Sequence, residues 1–193
     1  MNMWFISDTH WGHSNIIRFC SRPFSSVEEM NEKLIENWNE VVKPEDTVWH
    51  LGDFAFFSKP KIENVLSRLN GNKHLILGNH DQEFIKHREE ILSNKLLSSI
   101  RNYAEVKIDK KLLVLFHYGQ RVWNKSHHGS IHLYGHSHGT LPPFGKSVDV
   151  GVDCKEITNE YRPIHLDEVI RYMDNRVGEV VDHHGQKEKE IQS

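Results

Sequence analysis

The sequence is poor in cysteine, in excess positive charge and in long apolar runs. Its 193 residues hold two cysteines, Cys20 and Cys154, far apart and in no paired motif. That argues against a disulfide framework and fits a reducing compartment. Lysine and arginine number 24 against 27 acidic residues, a net charge of −3. A generic binder of nucleic acid or of anionic membrane would carry a strong positive excess. No apolar run nears the roughly 18 residues of a membrane span. Met1-Asn2-Met3-Trp4 has neither a basic nor a long apolar segment, so no signal peptide is expected and the reading is cytoplasmic. Repeats, linkers and low-complexity tracts are missing too. The length suits one domain over residues 1–184, with a Gln-, Lys- and Glu-rich tail at 185–193 expected to fray.

Histidine is abundant, with 15 of 193 residues. Six of them (His117, His127, His128, His132, His136, His138) fall within 22 residues. Histidine is the commonest metal ligand and the usual acid or base near neutral pH. The cluster is neither contiguous nor terminal, so it is not an expression tag.

Hydrophobic patterning predicts α/β structure. Short strands are expected at Met3–Ile6, Thr47–Leu51, His74–Leu77, Ile131–Tyr134 and Ser147–Val152, with a hairpin of Tyr103–Ile108 and Leu112–Phe116. Val27, Met30, Leu34, Trp38 and Val41 recur at helical spacing behind a Ser26 cap. Further helices are expected after Ser58 and Pro60, from about 83 to 92, and from Leu166 to Met173.

Five strand ends deliver polar side chains: Asp8 and His10; Asp53; Asn79, His80 and Asp81; His117; and His136 with His138. One such end would be an ordinary solvated turn. Five loaded with carboxylate, imidazole or carboxamide are a pattern that turn-making alone does not select. Carboxyl ends of strands are where open α/β sheets keep their chemistry. Imidazole and carboxylate donors without thiolate suit two hard or borderline divalent ions, manganese first, with iron, nickel or zinc as alternatives. Two such ions need a bridging anion, for which Asp53 is suited. Asn79 can ligate through its neutral carbonyl oxygen. Alternation along an extended segment would put His136 and His138 on one side.

Taken in order, Asp8-x-His10, Gly52-Asp53, Gly78-Asn79-His80-Asp81, His117 and Gly135-His136-x-His138 resemble the five motifs of the calcineurin-like metallophosphoesterases. The match spans residues 8 to 138, and the compact length resembles small bacterial and bacteriophage members. The resemblance implies a four-layer αββα sandwich of two mixed sheets flanked by helices. It implies Asp8, His10 and His138 on a first metal, Asp53 as the bridge, and Asn79, His117 and His136 on a second. It casts His80 as the non-ligand histidine that stabilises the transition state, with Asp81 orienting it and keeping it cationic. The implied reaction is in-line attack of a metal-bridging hydroxide on a small phosphate ester, with no phospho-enzyme. A chain this short lacks room for a large cap, which favours a small, nucleotide-like or cyclic phosphodiester as substrate. A phosphomonoesterase or a non-catalytic metal-binding scaffold of the same fold are the alternatives. Oligomeric state is left open.

Outside those motifs, His13 is a candidate phosphate contact or an exposed loop histidine. Arg22 is a candidate phosphate clamp or a surface charge. Arg121, Trp123 and His127 fill the segment between His117 and His136, a natural place for substrate selection. Trp123 can stack on a base or anchor the loop. His50 is either a partner of a metal ligand or a satisfied core histidine. Asp149 and Asp153 are read as sheet-end turns.

Overall fold

The computed structural model describes residues 2–179 and 181; the expected tail at 185–193 and the domain limit at 184 lie outside these described residues. The first half alternates strand and helix. It runs β1 (Met3–Ile6), α1 (Ser14–Phe19), α2 (Val27–Val41), β2 (Thr47–His50), α3 (Lys59–Arg68), β3 (Asn72–Ile76), α4 (Gln82–Lys86), α5 (Arg88–Ser93) and β4 (Ser99–Arg101). The second half runs β5 (Tyr103–Ile108), β6 (Lys111–Phe116), β7 (Ile131–Tyr134), β8 (Ser147–Asp149), β9 (Ile164–His165) and α6 (Leu166–Asp174).

Local chemistry explains the longest helix. Ser26 Oγ accepts from Glu29 N at 3.1 Å, and Glu28 and Glu29 complement the positive end of α2. Met30, Leu34, Ile35 and Trp38 then bury along one face.

The strands form two mixed sheets. One has the order β4-β3-β2-β1-β9, parallel except for β9. The other has the order β5-β6-β7-β8, parallel except for the β5–β6 hairpin. Side chains alternate across the first sheet. Trp4, Ile6, Val48 and Leu75 share one core with α2, α3, α4 and α5. Phe5, Trp49 and Ile76 share the other with Leu113, Leu115, Ile131, Leu133 and Val148 of the second sheet. Each such buried side chain contributes about 1.5–3 kcal/mol. This is the α/β sandwich, two mixed sheets with flanking helices, that the motifs implied. Its parallel strands bring their carboxyl ends together, which is what collects the polar loops.

Some elements differ from expectation. The helix expected from 83 to 92 is two short ones, because His87 (φ −112°, ψ 23°) leaves helical geometry. Hydrogen bonds still run through it, from His87 N to Glu83 O and from Ile91 N to His87 O. The strand expected at Ser147–Val152 pairs in the second sheet only to Asp149. The chain then crosses over, and Gly151 bridges Ser7 at the end of β1. α1, β4 and β9 have no signal in the sequence. α1 buries one residue, Ile16, and β9 has two residues, both too short for a periodicity.

Candidate metal centre

The loops after β1 and β2 run side by side. Asp8 N donates to Gly52 O, His10 N to Asp53 O and Trp11 N to Phe54 O, all at 3.0–3.1 Å. The loop after β7 is tied in through Gly135 N to His117 O, and His136 N donates to the Asp8 carboxylate at 2.9 and 3.1 Å. Gly135 is required here. A Cβ on it would lie 2.6 Å from Asp8 Oδ2 and collide with the Ser7 hydroxyl.

These loops present two groups of ligand atoms, each drawn from both sheets. Asp8, His10 and His138 form one, and Asp53, His117 and His136 the other, with ligand atoms in each group within 4.8 Å of one another. Asp53 stands between them. Its Oδ2 is 3.7 Å from His10 Nε2, and its Oδ1 is 3.6 Å from His117 Nε2. Asn79 Oδ1 joins the second group, 3.2 Å from His117 Nε2. His136 and His138 therefore serve different groups, not the one side that strand alternation predicts. The reason is backbone: both are left-handed, at φ 69° and 47°, as are Asp8, His10 and Asp53. That conformation is costly for non-glycine residues, and it concentrates at functional sites.

The donor set fits cations. His117 Nδ1 sits 2.7 Å from Leu51 O, so it carries the proton and Nε2 is a bare lone pair. That lone pair faces the Asn79 carbonyl oxygen, and two acceptors at 3.2 Å call for a positive charge between them. Both ring nitrogens of His10 are buried without a hydrogen-bond partner among the described residues. Burial pushes the Asp8 carboxyl well above its ordinary value, and the nearby Asp149 and Asp53 push it further. Burial and the neighbouring His138 and Arg22 hold His10 down at about 2. A site of crowded carboxylates beside the bare ring nitrogens of His10 and His117 is short of positive charge, which divalent cations would supply.

Around the ligand atoms lies a layer that the sequence reading assigned differently. Arg22 is 4% exposed and spends its guanidinium inside the protein. Nε and Nη2 grip Asp153 at 2.8 and 2.7 Å, Nη2 reaches Asp8 O at 2.6 Å, and Nη1 reaches Thr9 O at 2.8 Å. It is not presented to a substrate phosphate; it holds the ligand loop. Asp153 in turn accepts from His138 Nδ1 at 2.7 Å, which leaves Nε2 as the nitrogen that would ligate once an ion displaces its proton. Burial opposes charge on His138, yet the bond to Asp153 and the nearby Cys20 and Asp8 raise it to about 10. Asp149 accepts from Ser137 Oγ, Gly139 N and Gly151 N at 2.6–2.9 Å and so shapes the His136–His138 turn. Neither aspartate is a plain sheet-end turn. Their signal in the sequence was a sixth polar strand end, at β8.

Asp81 also departs from expectation. Its carboxylate accepts from Gly78 N, Asp53 N and Phe54 N at 2.8–2.9 Å. It clamps the Asp53 turn rather than orienting His80. Burial raises it to about 6 against those three bonds. His80 has its backbone N on Asp53 Oδ1 at 2.9 Å, and its ring Nε2 is 4.0 Å from Asp53 Oδ2. Its side chain is 43% exposed and faces the cleft. His50 is a satisfied core histidine. Its Nδ1 accepts from Gly52 N and its Nε2 bonds Thr9 Oγ1, so it braces the Asp53 turn as well.

The ligand atoms open into a cleft of about 1140 Å³. One wall is aromatic: His13 stacks on Phe56 at 4.1 Å, and Phe56 leans on His80 at 4.7 Å, with exposed Phe19 beyond. His13 is thus at the cleft. Trp123 is not: it is buried, donates to Ser130 O and packs on His132, anchoring its loop on the outer face of the second sheet. His127 packs on His128 in the 3-10 turn Ser126–His128 and is not among the residues that line the cleft. Arg121 lies over Phe144, its guanidinium 4.0 Å from the ring centroid, beside a smaller cavity.

The sequence profile of the Calcineurin-like phosphoesterase superfamily domain matches residues 1–143. The chain belongs to that superfamily. It is 35% identical over 188 residues to Uncharacterized protein MJ1445 of Methanocaldococcus jannaschii, covering 93% of this chain and 94% of that one. It is 42% identical over 83 residues to the Gene 66 protein of Mycobacterium phage L5, covering 42% of this chain and 40% of that one. Among solved structures, the protein of unknown function AQ665 from Aquifex aeolicus aligns with a TM-score of 0.65 and 26% identity, over 88% of this chain and 98% of that one. Asp149 and Asp153 lie beyond the matched residues. No helix among the described residues is long and apolar enough to cross a membrane.

Proposed function

We propose that this calcineurin-like domain is a dinuclear metal-dependent phosphoesterase that hydrolyses a small phosphodiester. The observation that carries it is Asp53, one carboxylate oxygen turned to each ligand group. In this reading Asp8, His10 and His138 hold one divalent ion and Asn79, His117 and His136 the other, with Asp53 shared. The mixed nitrogen and oxygen donors suit a borderline or hard divalent ion, with manganese the first to test and iron, nickel or zinc next. When bound, the ions supply Lewis-acid activation of water and neutralise phosphoryl charge.

The protein's own groups do the rest. Arg22, Asp153 and Asp149 fix the first ligand group, and Asp81 and His50 fix the Asp53 turn, so the site is set before substrate arrives. His80, on the cleft floor beside Asp53 and in neither group, donates a hydrogen bond to a phosphoryl oxygen and passes a proton to the departing oxygen. The departing group lies along the Phe56–His13 wall next to His80. A diester is favoured because the cleft is lined by Tyr118, Gly119 and Leu141 as well as by His13 and Phe56, and so offers surfaces to two substituents.

The test is a paired assay with manganese and an EDTA control, on bis-p-nitrophenyl phosphate and p-nitrophenyl phosphate. Chelator-sensitive turnover, faster on the diester, is expected. Faster turnover of the monoester would make the protein a phosphatase. Silence on both across several metals would favour a non-catalytic scaffold.

A further inference from the structure

His80 carries the proton transfer in the reading above, yet no polar contact holds its imidazole. Asp81 is spent on the amides of Gly78, Asp53 and Phe54. Asp53 Oδ2 is 4.0 Å from His80 Nε2, beyond hydrogen-bond reach. The ring itself makes no hydrogen bond among the described residues, although the backbone N is held by Asp53 Oδ1 at 2.9 Å. A side chain 43% exposed and so tethered is free to change rotamer. A proton donor has to stay within about 3 Å of the atom it serves. What the ring does have is aromatic neighbours. Phe56 lies against it, with centroids 4.7 Å apart and planes tilted by 41°, and His10 meets it edge-on at 5.7 Å. Both distances suit favourable ring pairs. Phe56 is anchored in its turn. Its N donates to Trp11 O at 2.8 Å, and Trp11 bridges Ala55, so it hangs from the paired loops that carry His10 and Asp53. His13 stacks on the Phe56 ring at 4.1 Å with planes 19° apart, and His10 lies 5.4 Å from it.

We propose that Phe56 is the positioning residue for His80, its ring confining the imidazole to the rotamer that turns Nε2 toward Asp53. The inference rests on the role given to His80 and deepens it. Two histidine rings brace Phe56 before it meets the third, so a fixed surface stands where a hydrogen-bonding partner is missing. Removing the ring leaves the proton donor in place but spreads it over several rotamers, and donation falls with the share that still points at the substrate. The departing group lies along the same wall, so Phe56 has a second way to act, by touching that group directly. The two are separable, because only the first runs through His80.

Orientation can be read without turnover. Three-bond couplings of the His80 side chain report its rotamer, measured by nuclear magnetic resonance with diamagnetic zinc loaded and assigned by their loss in His80→Ala. The wild type should show one rotamer, Phe56→Leu an average over several, and Phe56→Tyr, which keeps the ring, one again. An averaged wild type, or couplings unmoved in Phe56→Leu, would overturn the proposal. Kinetics with manganese give the second arm. Phe56→Leu should lower kcat on diphenyl phosphate about tenfold, the size of one aromatic contact. On bis-p-nitrophenyl phosphate, whose departing oxygen needs a proton less, the loss should be about threefold or less. In a His80→Ala background the same substitution should cost nothing further on either substrate. A loss that persists undiminished there would mean that the ring acts on the departing group itself, and the proposal would fall. Couplings that loosen in Phe56→Leu, in a protein that hydrolyses neither ester, would leave the positioning standing and remove the phosphoesterase reading. Hydrolysis with unmoved couplings would do the reverse.

Discussion

The two ligand groups are built to different degrees of closure. In the group of Asp8, His10 and His138, two members are braced from behind: Asp8 by the His136 amide, and His138 by Asp153, which buried Arg22 holds in turn. In the group of Asp53, His117 and His136, only the first two are buried; His136 is exposed at the cleft, edge-on to Tyr118 at 4.7 Å. Losing an orienting partner typically costs about 10–100-fold in metal affinity. The lesson is that, in the proposed reading, one ion would be held by a buried charge network and the other by an open rim. Binding should therefore be stepwise, with the first group filling at lower metal concentration.

The largest break of this comparison comes from the residue the two groups share. Asp53→Asn should weaken both ions and lower turnover of bis-p-nitrophenyl phosphate by about 10³-fold or more, read by metal analysis alongside kinetics. His80→Ala separates chemistry from binding. Turnover should fall about 10²-fold with both metal equivalents retained; loss of metal would refute the role given to His80. Asp153→Asn attacks one group alone. It should weaken the tighter manganese equivalent about 10–100-fold and spare the other, as a manganese titration followed by electron paramagnetic resonance would show. Equal weakening of both would dissolve the distinction between the groups.

The smallest effect is a control at the far end of β1 and β2. Burial raises the Asp46 carboxyl, but donors from Asn2 N, Lys43 N and Trp4 Nε1 outweigh it and hold it at about 2. An aspartate below its ordinary 3.8 stabilises the fold above that pH. Stability should therefore fall as pH drops from about 4 toward 2. Asp46→Ala should cost about 2 kcal/mol at neutral pH and flatten that acid limb, in denaturant titrations across pH.

Much of this was legible in the sequence because it rests on local signals. The Ser26 cap and the spacing from Val27 to Val41 place α2 without any tertiary information. The polar strand ends name the ligand candidates because parallel strands can only gather such residues at one end. What was not legible depends on long-range pairing. Arg22 and Asp153 lie 131 residues apart, and no spacing rule joins them. Asp81 follows His80 in sequence, which suggested a partnership. Three backbone amides converge on its carboxylate, and that convergence exists only once the Gly78 and Asp53 turns are folded together. The left-handed backbone at His136 and His138 is equally invisible to an alternation rule, and it is what sends two neighbours to two different groups.

Each ligand group draws on both halves of the chain: positions 8 and 10 with 138, and 53 with 117 and 136. An ion in either group would thus be a fastener driven through both sheets, closing chain loops of well over fifty residues. A ligand present at a hundred times its dissociation constant adds about 2.7 kcal/mol to the native state. For this domain that free energy falls on the seam between the two sheets. Neither half, cut between β4 and β5, would carry a complete grip on an ion, and rejoining the two pieces would be an event that metal concentration controls.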